Sequence, residues 1–165
     1  MSIRPSADSS AAPPARPTKN DMPTLVALHE AELAARDLYQ IAVDSNVVSD
    51  EDASAVVKLM VEHHLAYGQA LAGLIGKLAS NEADAAIVDA HKAAFASASQ
   101  FAGAANALEN ELTLRHTGAI GVLEGTEGAA LVASIVITES RHAVITAELN
   151  GATSLDALLS TEVAK

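Results

Sequence analysis

Along most of the chain apolar residues return every three or four positions, the period of a helix that buries one face. Four long segments carry the pattern. From Asp21 to about Asp44 the line reads Leu25, Leu28, Glu32, Ala35, Tyr39 and Ala42. From Asp50 to near Gly76 it reads Val57, Met60, His64, Tyr67, Leu71 and Leu74. From about 98 to 123 it reads Ala98, Ala102, Ala105, Glu109, Leu112 and His116, and from Thr126 to Leu149 it runs through Ile135, Glu139, His142 and Leu149. The ends carry matching signals. Asp21 with Pro23 behind it opens the first segment, Ser49-Asp50-Glu51-Asp52 opens the second, and Asn150-Gly151 stops the fourth. Residues 83–95 predict a helical crossover between the second and third long helices, with a break around Ser97–Gly103, and a short helix is predicted around Leu155–Leu159. No stretch shows the alternation of a strand, so the expected class is all-α.

The lines are not purely apolar. Each has a metal-competent side chain near mid-length: Glu32, His64 with Tyr67, Glu109, and Glu139 with His142. Glu139 and His142 stand three apart, on one face and one turn removed from each other. An unpaired charge in a buried line costs several kcal/mol, roughly, in a fold whose net stability is about 5–15 kcal/mol. One such Glu is ordinarily tucked against a neighbouring cation or hydroxyl, and one inward His is more often hydrogen-bonded than a ligand. Four helices doing this at similar depth ask for a shared compensator, and a metal cation is the obvious one. Carboxylate oxygen with imidazole nitrogen suits iron, manganese or zinc. Glu30, Arg36, Asp37 and Glu62 fall outside the lines, His63 flanks one, and Glu111 competes with Glu109 because alanine on several faces blurs that stripe.

Composition sharpens this. The 165 residues suffice for one domain; half are hydrophobic, only 2% are aromatic, and alanine-rich helices can pack closely. The absence of cysteine excludes disulfides, iron–sulfur clusters, zinc fingers and thiol nucleophiles. The net charge of −11, with Arg4, Arg16 and Lys19 outweighing Asp8 in residues 1–20, leaves an acidic body that repels phosphate backbones and favours cations. No nucleic-acid partner is expected. Residues 1–20 hold four of the five prolines and read as a disordered tail before a bundle spanning 21–151, with 152–165 a short C-terminal helix and tail. The longest uncharged apolar run, near Gly128–Thr138, is short of the roughly 20 residues of a membrane span, and no apolar core follows the basic N-terminal residues, so no membrane partner and a cytoplasmic location are expected. No nucleophile beside a base and no Gly-rich phosphate loop after a strand supports a hydrolase. An exposed alanine face could pair two copies as a homodimer.

With these residues in place, the chain resembles the ferritin-like four-helix-bundle proteins. In those, a Glu from each of two helices joins a Glu-x-x-His from each of the other two around a dinuclear metal centre. The likeness is nearest to the bacterial ferritin-like domain proteins and covers roughly residues 22–150. Glu139-Ser140-Arg141-His142 is similar to their fourth-helix motif, Glu32 followed by Tyr39 to their first-helix segment, Glu109 to the third-helix position, and the 77–97 connection to their crossover. The resemblance implies a ferritin-like up-down four-helix bundle with a long crossover between helices 2 and 3. It implies one or two iron or manganese ions held by Glu32, His64, Glu109, Glu139 and His142, no organic cofactor, and oxidative chemistry with O2 or peroxide. His64-Leu65-Ala66-Tyr67 stands where the family has Glu-x-x-His. By that correspondence Glu109, Glu139 and His142 form one complete half-site, while Glu32, His64 and Tyr67 form another short of charge. Tyr67 becomes the candidate catalytic phenol, hydrogen-bonding an oxygen species or itself being oxidised. The alternative is a ferritin-like bundle that has lost a working centre and serves a structural, stress-associated or partner-binding role.

Overall fold

The computed structural model describes residues 12–159. Six α-helices follow in order: α1 (Met22–Asp44), α2 (Glu51–Ile75), α3 (Ala85–Phe95), α4 (Phe101–Ile120), α5 (Thr126–Leu149) and α6 (Leu155–Leu159). No strand occurs among the described residues. The boundaries sit where the backbone's end groups find partners. Asp50 caps α2 by accepting from Ala53 N at 2.9 Å, and Asp84 caps α3 by accepting from Ala86 N and Ile87 N. At the other end of α2, Gly76 takes φ +57°, a left-handed conformation that costs other residues dearly.

α1 pairs along its length with α2, and α4 with α5; α1 also meets α4, and α2 meets α5. Two apolar clusters fix the directions. One gathers Leu25 and Leu28 from the start of α1, Leu71 and Ile75 from the end of α2, Ala119 from the end of α4, and Val132 and Ile135 from the first half of α5. The other gathers Tyr39 and Ala42, Val57 and Met60, and Phe101, Ala105 and Leu108, joined by Ile87 and Phe95 of α3. The chain therefore runs up α1 and down α2, returns along α3, then goes down α4 and up α5. Buried alanines at 31, 34, 35 and 105 let the helices approach. The polar site lies between the two clusters, walled from solvent at both ends.

Residues 12–20 differ from the sequence expectation of a disordered tail through residue 20; residues 1–11 lie outside the described part. Pro14 and Ala15 offer their carbonyls to Thr126 N and Glu127 N at 3.0 and 2.9 Å, satisfying first-turn N–H groups of α5 that have no partner within the helix. Asp21 accepts from Thr18 N, Glu124 N and Gly125 N at 2.7–3.0 Å. Burial pushes the Asp21 carboxyl up, but those backbone donors outweigh it and hold it below its ordinary value. The segment passes so close that a Cβ on Gly125 would lie 2.7 Å from the Arg16 carbonyl oxygen. Proline here supplies carbonyl acceptors in place of apolar burial, which composition could not reveal.

Several helix faces are rotated slightly from their expected lines. In α2 Gly68 and Ile75 are buried where Tyr67 and Leu74 were expected, and both of those are only half-buried. Gly68 lets α2 settle on α1, since a Cβ there would stand 3.2 Å from Leu33 Cδ2. α4 begins at Phe101, leaving Ala98 exposed in the preceding turn. In α5 Thr146 is fully buried and Leu149 is exposed. α5 is also long and apolar enough to cross a membrane by length and mean hydropathy (1.3), which the uncharged run alone understated. Its inward face carries Ile135, Glu139 and His142 into the bundle core.

Candidate metal centre

Six ionisable side chains meet between the apolar clusters: Glu32 of α1, His64 of α2, Glu109 and His116 of α4, and Glu139 and His142 of α5. Each is 0–2% exposed. They alternate acid and imidazole in one continuous series. Glu139 Oε1 lies 3.1 Å from His116 Nδ1, and His116 Nε2 lies 3.2 Å from Glu32 Oε1. Glu32 Oε2 is 2.8 Å from His64 Nδ1, His64 Nε2 is 3.2 Å from Glu109 Oε1, and Glu109 Oε2 is 3.4 Å from His142 Nδ1. Tyr39 donates to Glu109 Oε1 at 2.5 Å and stacks on His64, with Phe95 and Phe101 edge-on behind it. At the outer end His63, half-buried, meets His142 Nε2 at 2.9 Å.

The charges follow from burial opposed by neighbours. Burial pushes His64 toward neutrality, but Glu109 and Glu32 on either side raise it to about 10. His116 is likewise penalised by burial, yet Glu139 and Glu32 raise it to about 10. Burial alone would push Glu32 up; His64 and His116 bring it down to about 2. Glu109 lies well below the usual carboxylate range, since His64 and His142 outweigh its burial. Glu139 is the exception. Burial, reinforced by the neighbouring Glu32 anion, overcomes His116 and raises it to about 8. Two carboxylates sharing one imidazole cannot both ionise easily, so one of the pair takes the proton. Near neutral pH Glu32 and Glu109 are thus anionic against cationic His64 and His116, and Glu139 is neutral. Burial, Glu109 and their hydrogen bond raise the Tyr39 phenol well above its ordinary value.

Hydrogen bonding leaves this series incomplete. Glu32 Oε1, Glu109 Oε2, both oxygens of Glu139, His116 Nε2 and His142 Nδ1 are buried without an aligned partner. All but Glu139 Oε2 face an acid or imidazole of the series at 3.1–3.4 Å, yet off line, and so many buried polar atoms without an aligned hydrogen bond at one depth are unusual for a fold. They fit a metal, because all belong to groups whose ligand atoms cluster. His64, Glu109 and His142 form one triad and Glu32, His116 and Glu139 a second, each with ligand atoms within 4.8 Å of one another. The remaining nitrogens are tied as ligating imidazoles require. His116 Nδ1 donates to the Leu112 carbonyl oxygen at 2.9 Å, His64 Nδ1 faces Glu32 Oε2, and His142 Nε2 faces His63. Each imidazole therefore turns one nitrogen into its triad.

All five residues expected as ligands, Glu32, His64, Glu109, Glu139 and His142, are brought together. Their division into halves differs from the expected one. His116 reaches from α4 between Glu32 and Glu139, and His64 turns to Glu109 and His142, so neither triad matches the halves drawn from the resemblance. His116 was legible as the last member of the α4 line, seven residues after Glu109, but spacing alone gave it no partner. Glu111, the competing residue, points outward to Arg115 at 2.8 Å. Tyr67 is half-buried and edge-on to His64, ring centroids 6.5 Å apart, and no hydrogen bond joins it to the six among the described residues. The tyrosine that bonds the site is Tyr39.

Neither a curated protein nor a solved structure shows a match to the chain. A family model does, the ferritin-like domain, over residues 20–152. That range takes in all four long helices, the crossover and every residue of both triads, and the chain belongs to the ferritin-like domain family.

Proposed function

We propose that this protein binds iron or manganese at a carboxylate/histidine centre inside its bundle and uses it for oxidative chemistry with O2 or peroxide. The observation that carries the reading is the set of buried ligand atoms without an aligned hydrogen bond, shared by two triads from four helices. Glu32, His64, Glu109, His116, Glu139 and His142 would hold the metal, and iron or manganese there would supply reversible one-electron redox capacity. The chain's own contribution is positional. Tyr39 fixes one oxygen of Glu109 and leaves the other free, Leu112 holds the His116 tautomer, and the two apolar clusters exclude bulk water. Tyr67 stands at the edge of the site, where its phenol could donate a hydrogen bond to a small oxygen substrate.

Metal analysis of protein expressed with iron and manganese and purified without chelator tests this. The expected result is stoichiometric metal that Glu139→Ala diminishes. Iron, manganese and zinc all far below stoichiometry, and unchanged by the substitution, would overturn it.

A second reading is favoured by the acid–imidazole alternation itself, which balances two cations against two anions with no metal present. In that reading the bundle keeps its polar layer as a structural network and acts as a structural, stress-associated or partner-binding protein. A chelator that markedly lowers the unfolding midpoint excludes it.

A further inference from the structure

The two triads are not alike. His64, Glu109 and His142 offer two nitrogens and one carboxylate; Glu32, His116 and Glu139 offer one nitrogen and two carboxylates. Resting on the metal-binding reading above, we infer that the centre is built to hold two different divalent ions, a later transition ion in the histidine-rich triad and manganese in the carboxylate-rich one.

The argument starts from donor chemistry. Imidazole suits iron, zinc and copper, whereas carboxylate suits magnesium, calcium and manganese; every such site gains affinity from manganese toward the later metals, but nitrogen donors gain most, so the two triads differ in relative preference. Two imidazoles with one carboxylate is the donor set found around zinc in metalloproteases and around non-haem iron in oxygenases. In this chain that triad has a single carboxylate, and Tyr39 already holds one of its oxygens. Its capacity for a hard, oxygen-seeking ion is correspondingly low. The other triad has both oxygens of Glu139 and Oε1 of Glu32 without hydrogen-bond partners, and only His116 Nε2 among its nitrogens. It offers more negative charge and more free oxygen, which suits manganese.

The groups that hold the ligands in turn keep the two pockets distinct. Glu32 presents Oε1 to His116 and Oε2 to His64 Nδ1, so its second oxygen orients a ligand of the neighbouring triad instead of joining it. His142 is oriented by His63, a third imidazole on the histidine-rich side. The carboxylate-rich side has the backbone carbonyl of Leu112 in the equivalent place. Sequence explains the inequality: His64 occupies the helix-2 position where a carboxylate would equalise the two triads, and His116 supplies the nitrogen that Tyr67 does not.

Competition between zinc and manganese tests the inference without an activity assay; zinc stands for the later ion because air does not oxidise it. Metal-free full-length protein is given one equivalent of Zn2+ and excess Mn2+, desalted, and its metals are counted by elemental analysis and by the electron paramagnetic resonance of bound manganese. About one zinc and about one manganese per chain are expected, with the manganese spectrum that of isolated ions; two identical sites would give the same totals but pair manganese with manganese on about a quarter of the chains, as a coupled signal. Glu139→Ala, which opens the carboxylate-rich triad, should keep zinc and lose manganese. His142→Ala should leave a single site whose zinc-over-manganese preference is weaker, by about tenfold or more, than that of Glu139→Ala. Circular dichroism checks that each variant folds, and the unmodified chain decides the main point alone. Two ions of one kind from the mixture, one ion shared by all six residues, or equal preferences in the two variants would overturn the inference while leaving metal binding intact. No bound metal under any loading would overturn both.

Discussion

Glu32 is the residue on which most of the polar layer turns. One carboxylate oxygen faces His64 and the other faces His116, both fully buried. Replacing it with alanine leaves two imidazoles in the core without their shared anion, and uncompensated buried charge costs about 3–5 kcal/mol. Urea unfolding of metal-free Glu32→Ala should show a loss of that size. Glu111 provides the contrast within the same fold. It is a glutamate on α4 two residues from Glu109, but it lies on the outer side against Arg115. Exposed pairs contribute about 0–1 kcal/mol, so Glu111→Ala should scarcely move the midpoint. Equal effects from the two substitutions would mean that the inward register described for these helices is wrong. Tyr39 gives a finer measure. Tyr39→Phe keeps the packing on His64, Phe95 and Phe101 and removes only the donor to Glu109, a hydrogen bond to a charged group worth about 1.5–3 kcal/mol.

At the scale of elements, the joint between the N-terminal segment and the α4–α5 turn makes a separable prediction. Gly125→Ala places a methyl 2.7 Å from the Arg16 carbonyl oxygen and the Pro17 Cα, both backbone atoms that cannot swing aside. The segment must lift, exposing the N–H groups of Thr126 and Glu127 that Pro14 and Ala15 now satisfy. A loss of about 1–3 kcal/mol is expected, together with faster hydrogen exchange at the start of α5. This joint was invisible in the sequence, because it uses backbone carbonyls that every residue has. The helices themselves were legible. Asp50, Gly76, Asn150-Gly151 and the 3/4 spacing located α1, α2 and α5 almost to the residue, since those signals are local. What needs neighbours was not. Nothing in the α2 line distinguishes Tyr67 from Gly68 until Leu33 of α1 is seen pressing on the glycine. Likewise the mid-helix depth of Glu32, His64, Glu109, Glu139 and His142 can be counted along each helix. Which imidazole faces which carboxylate depends on how helices rotate about their axes, and alanine-rich faces leave that to the assembled bundle.

For the whole molecule, the polar layer ties stability to pH in a direction that metal should reverse. In the metal-free chain His64 and His116 rise from 6.5 to about 10 on folding, against the opposing effect of burial, because carboxylates flank them. Groups raised in this way stabilise the fold fully below their unfolded value, near 6.5, and that contribution is lost as pH climbs through about 10. Glu139 adds to the same limb: raised from 4.5 to about 8 by burial, it favours the folded state while protonated and opposes it once ionised. Glu32 and Asp21 act on the acid side. Both are held below their ordinary values, so their contributions are present above those values and fade as pH falls through the lowered ones. Metal-free protein should therefore be most stable in mildly acidic solution and weaken steadily into the alkaline range. A bound metal replaces the protons, since imidazole must be neutral and carboxylate ionised to ligate, and its affinity grows as pH rises. Thermal unfolding midpoints of chelated and metal-loaded protein should then lie nearest each other in acid and diverge as pH passes about 8, with the loaded curve flat where the chelated one descends. Parallel alkaline descents would show that His64, His116 and Glu139 keep their protons whatever the metal supply, and the layer would be a hydrogen-bonded network alone.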